Sequence, residues 1–165
     1  MTKRFAVIGY PVKHSLSPML FSFLFAQVEA DATYVAQEVA PEGLTDCIAA
    51  MRAGEWDGLS VTVPHKLAVR QLIDEEDRLV ARIGAANTLV RRSDRIAAYN
   101  TDAEGCRRAL EHGGATLNGA DVVIPAGLEK GVEEFHDGAR AERIVDFWPI
   151  DRDRGDVVGH LADAI

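Results

Sequence analysis

One short stretch near the N-terminus constrains the fold more than any other. Phe5-Ala-Val-Ile8 is an unbroken apolar run, stopped by Gly9, Tyr10 and Pro11 and followed by Ser17-Pro18. An apolar run this short, closed by turn residues, predicts a buried strand from Lys3 to Ile8. Ser17-Pro18 predicts a helix start, because serine is a good N-cap and proline is tolerated at the first helical position. A second hydroxyl, Ser15, stands two residues earlier with His14 beside it. Two hydroxyls and free backbone N–H groups at a helix start, just past the carboxyl end of a strand, suit an anion. A small carboxylate is the expected occupant.

The remaining chain repeats the alternation. Pro18 to about Glu29 reads as a helix, apolar nearly all round (Met19, Leu20, Phe21, Phe23, Leu24, Phe25) and so expected to pack on both sides. Thr33 to Val39 reads as a strand, Pro41 to Ala53 as a helix ended by Gly54, and Gly58 to Val63 as a third strand. Helical stretches follow from Pro64 to about Leu72 and from Glu75 to Ile83. Ala86–Arg91 and Arg95–Tyr99 flank Ser93-Asp94 as a hairpin. Asp102 is expected to cap a last helix that ends at Gly113-Gly114. The fold class is therefore α/β, a mainly parallel sheet flanked by helices.

Such sheets bind ligands off the carboxyl ends of their strands. The polar groups Ser15/Ser17, Thr62/Lys66, Asn87/Thr88 and Asn100/Asp102 all fall in turns or beside strand ends, so they can converge on one pocket. Each has a plainer reading. Ser17 and Asp102 are natural helix caps, Thr62 an ordinary strand threonine, and Lys66 a solvated lysine in a first helical turn. Asn87 ties off a strand start, and His65 faces solvent or packs locally. Trp56 and Trp148 are expected to serve as side-chain filler rather than as cofactor platforms, and Asp74-Glu-Glu-Asp77 as a solvated helix start.

Charge narrows the partners. The 165 residues hold 18 Lys and Arg against 26 Asp and Glu, a formal net charge of −8, which argues against nucleic acid or an acidic membrane. With 47% hydrophobic residues the chain can build a core without metal or disulfides. Cys47 and Cys106 lack metal spacing and read as reduced thiols; none of the five histidines has metal-ligand company. No stretch has membrane-spanning length, and the expected location is cytoplasmic.

Four blocks in order carry a family resemblance: His14-Ser-Leu-Ser-Pro18, Val61-Thr-Val-Pro-His-Lys66, Gly84-Ala-Ala-Asn-Thr88, and Asn100-Thr-Asp102 with Gly105. Together they resemble the shikimate dehydrogenase family over roughly Arg4 to Leu110, its N-terminal substrate-binding domain. The resemblance implies an oxidoreductase of the shikimate pathway, serving aromatic amino acid biosynthesis. It implies that Ser15 and Ser17 hold the carboxylate of shikimate or 3-dehydroshikimate. Thr62, Asn87 and Asp102 would bind ring hydroxyls, with Ser60 near the pocket, and Lys66 and Asp102 would form the catalytic pair. An ammonium beside a carboxylate can deliver or remove the proton that a carbonyl–alcohol interconversion requires. Two positions depart from the pattern: Ser60 stands where the family usually has asparagine, and Phe21-Ser22 where it usually has histidine-asparagine.

NADP is the cofactor the resemblance implies. A dinucleotide site needs glycines after its first strand so that the backbone can approach the pyrophosphate. Here Ala120-Asp-Val-Val-Ile-Pro-Ala-Gly127 offers one glycine, and Pro125 has no N–H. Asp146 lies at the distance of a ribose-binding acid, but without the glycine loop that spacing has little force. Residues 115–165 read as strand (Asp121–Ile124), helix (Leu128–Phe135), strand (Arg143–Phe147) and helix (Val157–Ala164). That is a remnant of a nucleotide-binding domain, or added elements packed on residues 1–114. Apolar exposure in this tail is compatible with a homodimer. Two other functions fit the same residues: a non-redox module that binds or senses a shikimate-type ligand, and a lyase or isomerase acting on a related cyclic hydroxy acid.

Overall fold

The computed structural model describes residues 2–114. Six strands form one sheet in the order β2-β1-β3-β5-β6-β4. The central strand is β1 (Lys3–Gly9), flanked in parallel by β2 (Ala32–Glu38) and β3 (Gly58–Val61). The hairpin β5 (Thr88–Arg92) and β6 (Arg95–Tyr99) then runs antiparallel to β3, turning at Ser93 with φ 60°. A two-residue β4 (Glu75–Glu76) closes the edge parallel to β6. The mainly parallel α/β sheet expected from the sequence is present.

Alternation along the strands sorts the side chains to two faces. One face buries Ala6, Ile8, Leu59, Val61, Leu89 and Ala98 against α2 (Leu44–Arg52) and α3 (Arg78–Ile83), which contribute Leu44, Ile48, Met51 and Val80. The other face packs Phe5, Val7 and Tyr34 under Phe21 and Phe25 of α1 (Ser17–Gln27).

That second contact corrects one expectation. Helix α1 is apolar all round but, among the described residues, it packs on one side only. Met19, Leu20, Phe23 and Leu24 remain exposed.

Local chemistry accounts for the other differences. Two turns of 3₁₀ geometry, Pro41–Gly43 and Ala68–Leu72, replace the helix starts expected at Pro41 and Pro64. The acidic run at 74–77 holds the edge strand β4 and the cap of α3 rather than a solvated helix start. Asp74 bonds Arg52 at 2.6 Å and the N–H of Ile96 at 2.7 Å, Glu76 bonds Arg70 at 2.8 Å, and Asp77 caps α3 by accepting from Val80 N at 2.7 Å. Trp56 is buried in the core as expected. His65 is only 1% exposed, its ring nitrogen 2.7 Å from the carbonyl oxygen of Val39. A carbonyl only accepts, so Nε2 carries the proton. The strands and helices expected over residues 115–165 lie outside the described residues.

Candidate functional site

The site begins where β1 and β3 end side by side. A Cβ on Gly9 would stand 2.6 Å from Thr62 Cγ2 and 2.8 Å from the Val63 carbonyl oxygen, so only glycine allows the two chain segments to meet. They are laced there by Thr62 N to Ile8 O at 2.9 Å and Tyr10 N to Val63 O at 2.9 Å. The Tyr10–Pro11 and Val63–Pro64 bonds are both cis. This junction sets Thr62 opposite the turn that carries the two serines. Between them lies a cleft of about 320 Å³, lined by Val7, Val12, His14, Ser15, Ser17 and Thr62.

The Ser17 hydroxyl is not spent on capping the helix. The N-cap of α1 is Leu16, which makes no side-chain cap bond; Ser17 is already helical, and Pro18 follows in the first turn. The cap expected at Ser17 is therefore corrected. Its hydroxyl instead accepts from Ser15 Oγ at 3.1 Å, and its N–H donates to Ser15 Oγ at 3.2 Å. The two hydroxyls, bonded to one another, can turn to an incoming carboxylate.

A second cluster forms at the start of α4 (Thr101–His112). Asn100 caps this helix: its side-chain oxygen accepts from Ala103 N at 3.2 Å, and its amide donates to Ala85 O at 2.9 Å. That corrects the cap expected at Asp102. Asp102 sits in the first turn with both oxygens free for other work. Oδ2 accepts from Lys66 Nζ at 2.8 Å and Oδ1 from Asn87 Nδ2 at 2.7 Å. The orientation of the Asn87 amide is fixed by its other end, where Oδ1 accepts from Thr101 N at 2.9 Å and Thr88 Oγ1 at 3.0 Å. Lys66, Asn87 and Asp102 thus form one bonded unit, supported by Thr88, which the sequence had grouped with Asn87, and by Thr101, which it had not singled out.

Strand register relates the two clusters. Val7, Ser60 and Thr88 are successive register partners on the second face. Val7 lines the serine cleft and Thr88 bonds Asn87. Adjacent strands are about 4.8 Å apart, so this row covers roughly 10 Å. Ser60, between them, accepts from the hydroxyl of Tyr34 at 2.7 Å. Burial raises the Tyr34 pKa, with hydrogen bonding to Ser60 and Ser17 opposing the shift. Tyr34 was legible only as a strand aromatic.

Chemically, the arrangement can hold an anion at the hydroxyl cleft and exchange a proton at the Lys66–Asp102 pair. Another cleft, about 310 Å³, is lined by Gln37, Val39, Cys47 and Trp56. Burial there pushes the Cys47 thiol up to about 11, which keeps it protonated and unreactive near neutrality. Among the described residues no three His, Cys, Asp or Glu side chains are placed to hold a metal, and no helix is long and apolar enough to cross a membrane.

Comparison with known proteins agrees with this architecture. The family model for the shikimate dehydrogenase substrate binding domain matches residues 7–89. A shikimate dehydrogenase (NADP(+)) of Geobacillus sp. (strain WCH70) is 49% identical over 111 residues, 67% of this chain and 40% of the relative. One of Salinibacter ruber is 41% identical over 124 residues, 74% of this chain and 44% of the relative. Among solved structures, the shikimate 5-dehydrogenase of Thermus thermophilus in complex with shikimate superposes with a TM-score of 0.67 at 35% identity. That likeness covers 70% of this chain and 44% of the other. The chain thus spans less than half the length of these relatives.

Proposed function

This chain belongs to the shikimate dehydrogenase family by its substrate-binding domain, and from that premise we propose that residues 1–114 bind shikimate and 3-dehydroshikimate and handle the proton of their interconversion. The single observation that carries this reading is the bonded unit of Lys66, Asp102 and Asn87 on the same sheet face as the Ser15/Ser17/Thr62 cleft. The hydroxyls of Ser15 and Ser17 turn from each other to the ligand carboxylate, and Thr62 and Asn87 take ring hydroxyls. Lys66 stands at the oxygen that alternates between carbonyl and alcohol. Its ammonium gives the proton as the alcohol forms and recovers it in the reverse direction. Asp102 holds the ammonium in place and accepts from a neighbouring ring hydroxyl.

The relatives' names include NADP(+), and the described residues do not fit such a dinucleotide. The glycine that ends β1 has its open side filled by Thr62 and Val63, and Pro11 beyond it offers no N–H to a phosphate. Any hydride carrier is seated elsewhere. Calorimetric titration of the full chain with shikimate tests the reading. Saturable binding that is lost in the Ser15→Ala/Ser17→Ala double variant supports it, and unchanged affinity in that variant sinks the carboxylate assignment. Adding NADP(H) in a turnover assay separates an enzyme from a module that only binds the ligand.

A further inference from the structure

The two departures from the family pattern meet on one side chain. Phe21 stacks on Tyr34 with ring centroids 4.3 Å apart and planes 6° from parallel, and the Tyr34 hydroxyl donates to Ser60 at 2.7 Å. Tyr34 is 7% exposed and sits in the aromatic cluster with Phe25 and Val7. Its ring is held by the stack, so its hydroxyl has a fixed position.

The direction of that bond matters. A phenol has one hydrogen, and here it is given to Ser60 Oγ; the hydrogen of Ser60 must therefore point elsewhere. Ser60 is the register partner of Val7 on the same face, and Val7 lines the serine cleft. The Tyr34–Ser60 pair thus stands one register step from Val7, a residue of the cleft wall.

We propose that Tyr34 is a positioning residue for carboxylate recognition: braced by Phe21, it orients Ser60 as a further hydroxyl donor to the anion held by Ser15 and Ser17. This rests on the carboxylate seat proposed above. It adds that a short serine, fixed from behind by a buried phenol, selects a charged acid over its neutral ester.

Calorimetry on the full chain tests the proposal with two probes, shikimate and shikimate methyl ester, against wild type, Tyr34→Phe, Ser60→Ala and the double variant. Tyr34→Phe keeps the ring and the stack and removes one hydroxyl. Its shikimate dissociation constant is expected to rise roughly threefold to tenfold, the effect of one neutral hydrogen bond, with the ester changed by less than about twofold. The double variant is expected to match Ser60→Ala alone, because the tyrosine acts through the serine. Equal losses for acid and ester would show a merely structural role and overturn the proposal, as would additive losses or wild-type affinity in Tyr34→Phe. No shikimate binding by the wild-type chain would overturn the carboxylate seat itself, a result distinct from these.

Discussion

Asn87 and Asp102 are joined by a 2.7 Å hydrogen bond from the amide of one to the carboxylate of the other, although they start from different elements and lie fifteen residues apart. The bond is directional because Asn87 has its oxygen committed to Thr101 N and Thr88 Oγ1. Asp102 therefore meets Lys66 with one oxygen already held, and the pair has a defined geometry before any ligand arrives. Preorganisation of this kind reduces the entropy lost on binding.

Lys66→Ala is expected to leave the unfolding free energy within about 1 kcal/mol of wild type. The ion pair is solvent-accessible, with Asp102 55% exposed, and pairs of that kind contribute little. Any NADP-dependent turnover should nevertheless disappear while shikimate binding is largely retained. Urea unfolding and calorimetry with the same preparation read the two effects separately.

The Ser17→Ala variant should unfold at nearly the wild-type temperature, since its hydroxyl does not cap α1, and the Ser15→Ala/Ser17→Ala variant should lose only the Ser15 acceptor of the Ser17 N–H. A lost cap would instead cost about 1 kcal/mol. Shikimate affinity should fall by roughly tenfold or more, the loss expected for hydrogen bonds to a charged group. A clear drop in the melting temperature of Ser17→Ala would return Ser17 to a capping role.

Asn100→Ala should destabilise by about 1–2 kcal/mol. Its side chain is 6% exposed, and removing it leaves both the Ala103 N–H and the Ala85 carbonyl without their partner. Asp102→Asn should cost much less. Comparing the two denaturation midpoints decides which residue caps α4.

Gly9→Ala should cost about 1–3 kcal/mol, because the added carbon would overlap Thr62 and the Val63 carbonyl. Thr62 would be pushed within the cleft, so shikimate binding should weaken as well. Unaltered stability would mean the β1–β3 junction can spread without penalty.

Acid should weaken the fold through Asp57 and Asp74. Desolvation raises the Asp57 pKa, but the Arg4 N–H, Lys3 and Arg91 more than offset it, and the net shift is downward. The Arg52 hydrogen bond and the Ile96 N–H lower that of Asp74. A carboxylate depressed in the folded state stabilises fully above its unfolded pKa of about 3.9 and loses that contribution as pH falls through the folded value. Unfolding midpoints should thus be flat from pH 7 to 5 and decline below about pH 4. Asp57→Asn should be less stable at pH 7 and show a shallower acid decline.

Much of this was written in the order of the residues. Phe5 to Ile8 could only be a buried strand, Ser93-Asp94 could turn a hairpin, and Gly84 ends its helix in the left-handed conformation, φ 82°. The polar blocks were expected in one pocket, and the structure sets them in two clusters on one sheet face, Ser15, Ser17 and Thr62 at a cleft and Lys66, Asn87 and Asp102 in a bonded unit. His65 and Tyr34 escaped that reading because their burial depends on residues far along the chain, Val39 and Ser60 respectively. A local pattern carries no information about such a partner.

The sequence by itself determined the layers and the placing of its polar blocks in turns and at strand ends, because period and turn chemistry are local properties. Only the tertiary structure decided which polar groups were free to act. Asn100 takes the cap that Asp102 could have filled, and Leu16 occupies the cap position expected for Ser17. A side chain bonded to its own helix and one turned toward a pocket have the same sequence. What separates them is where the backbone begins its first turn, and that is set by long-range contacts: Asn100 to Ala85 at one helix, the stack of Phe21 on Tyr34 at the other.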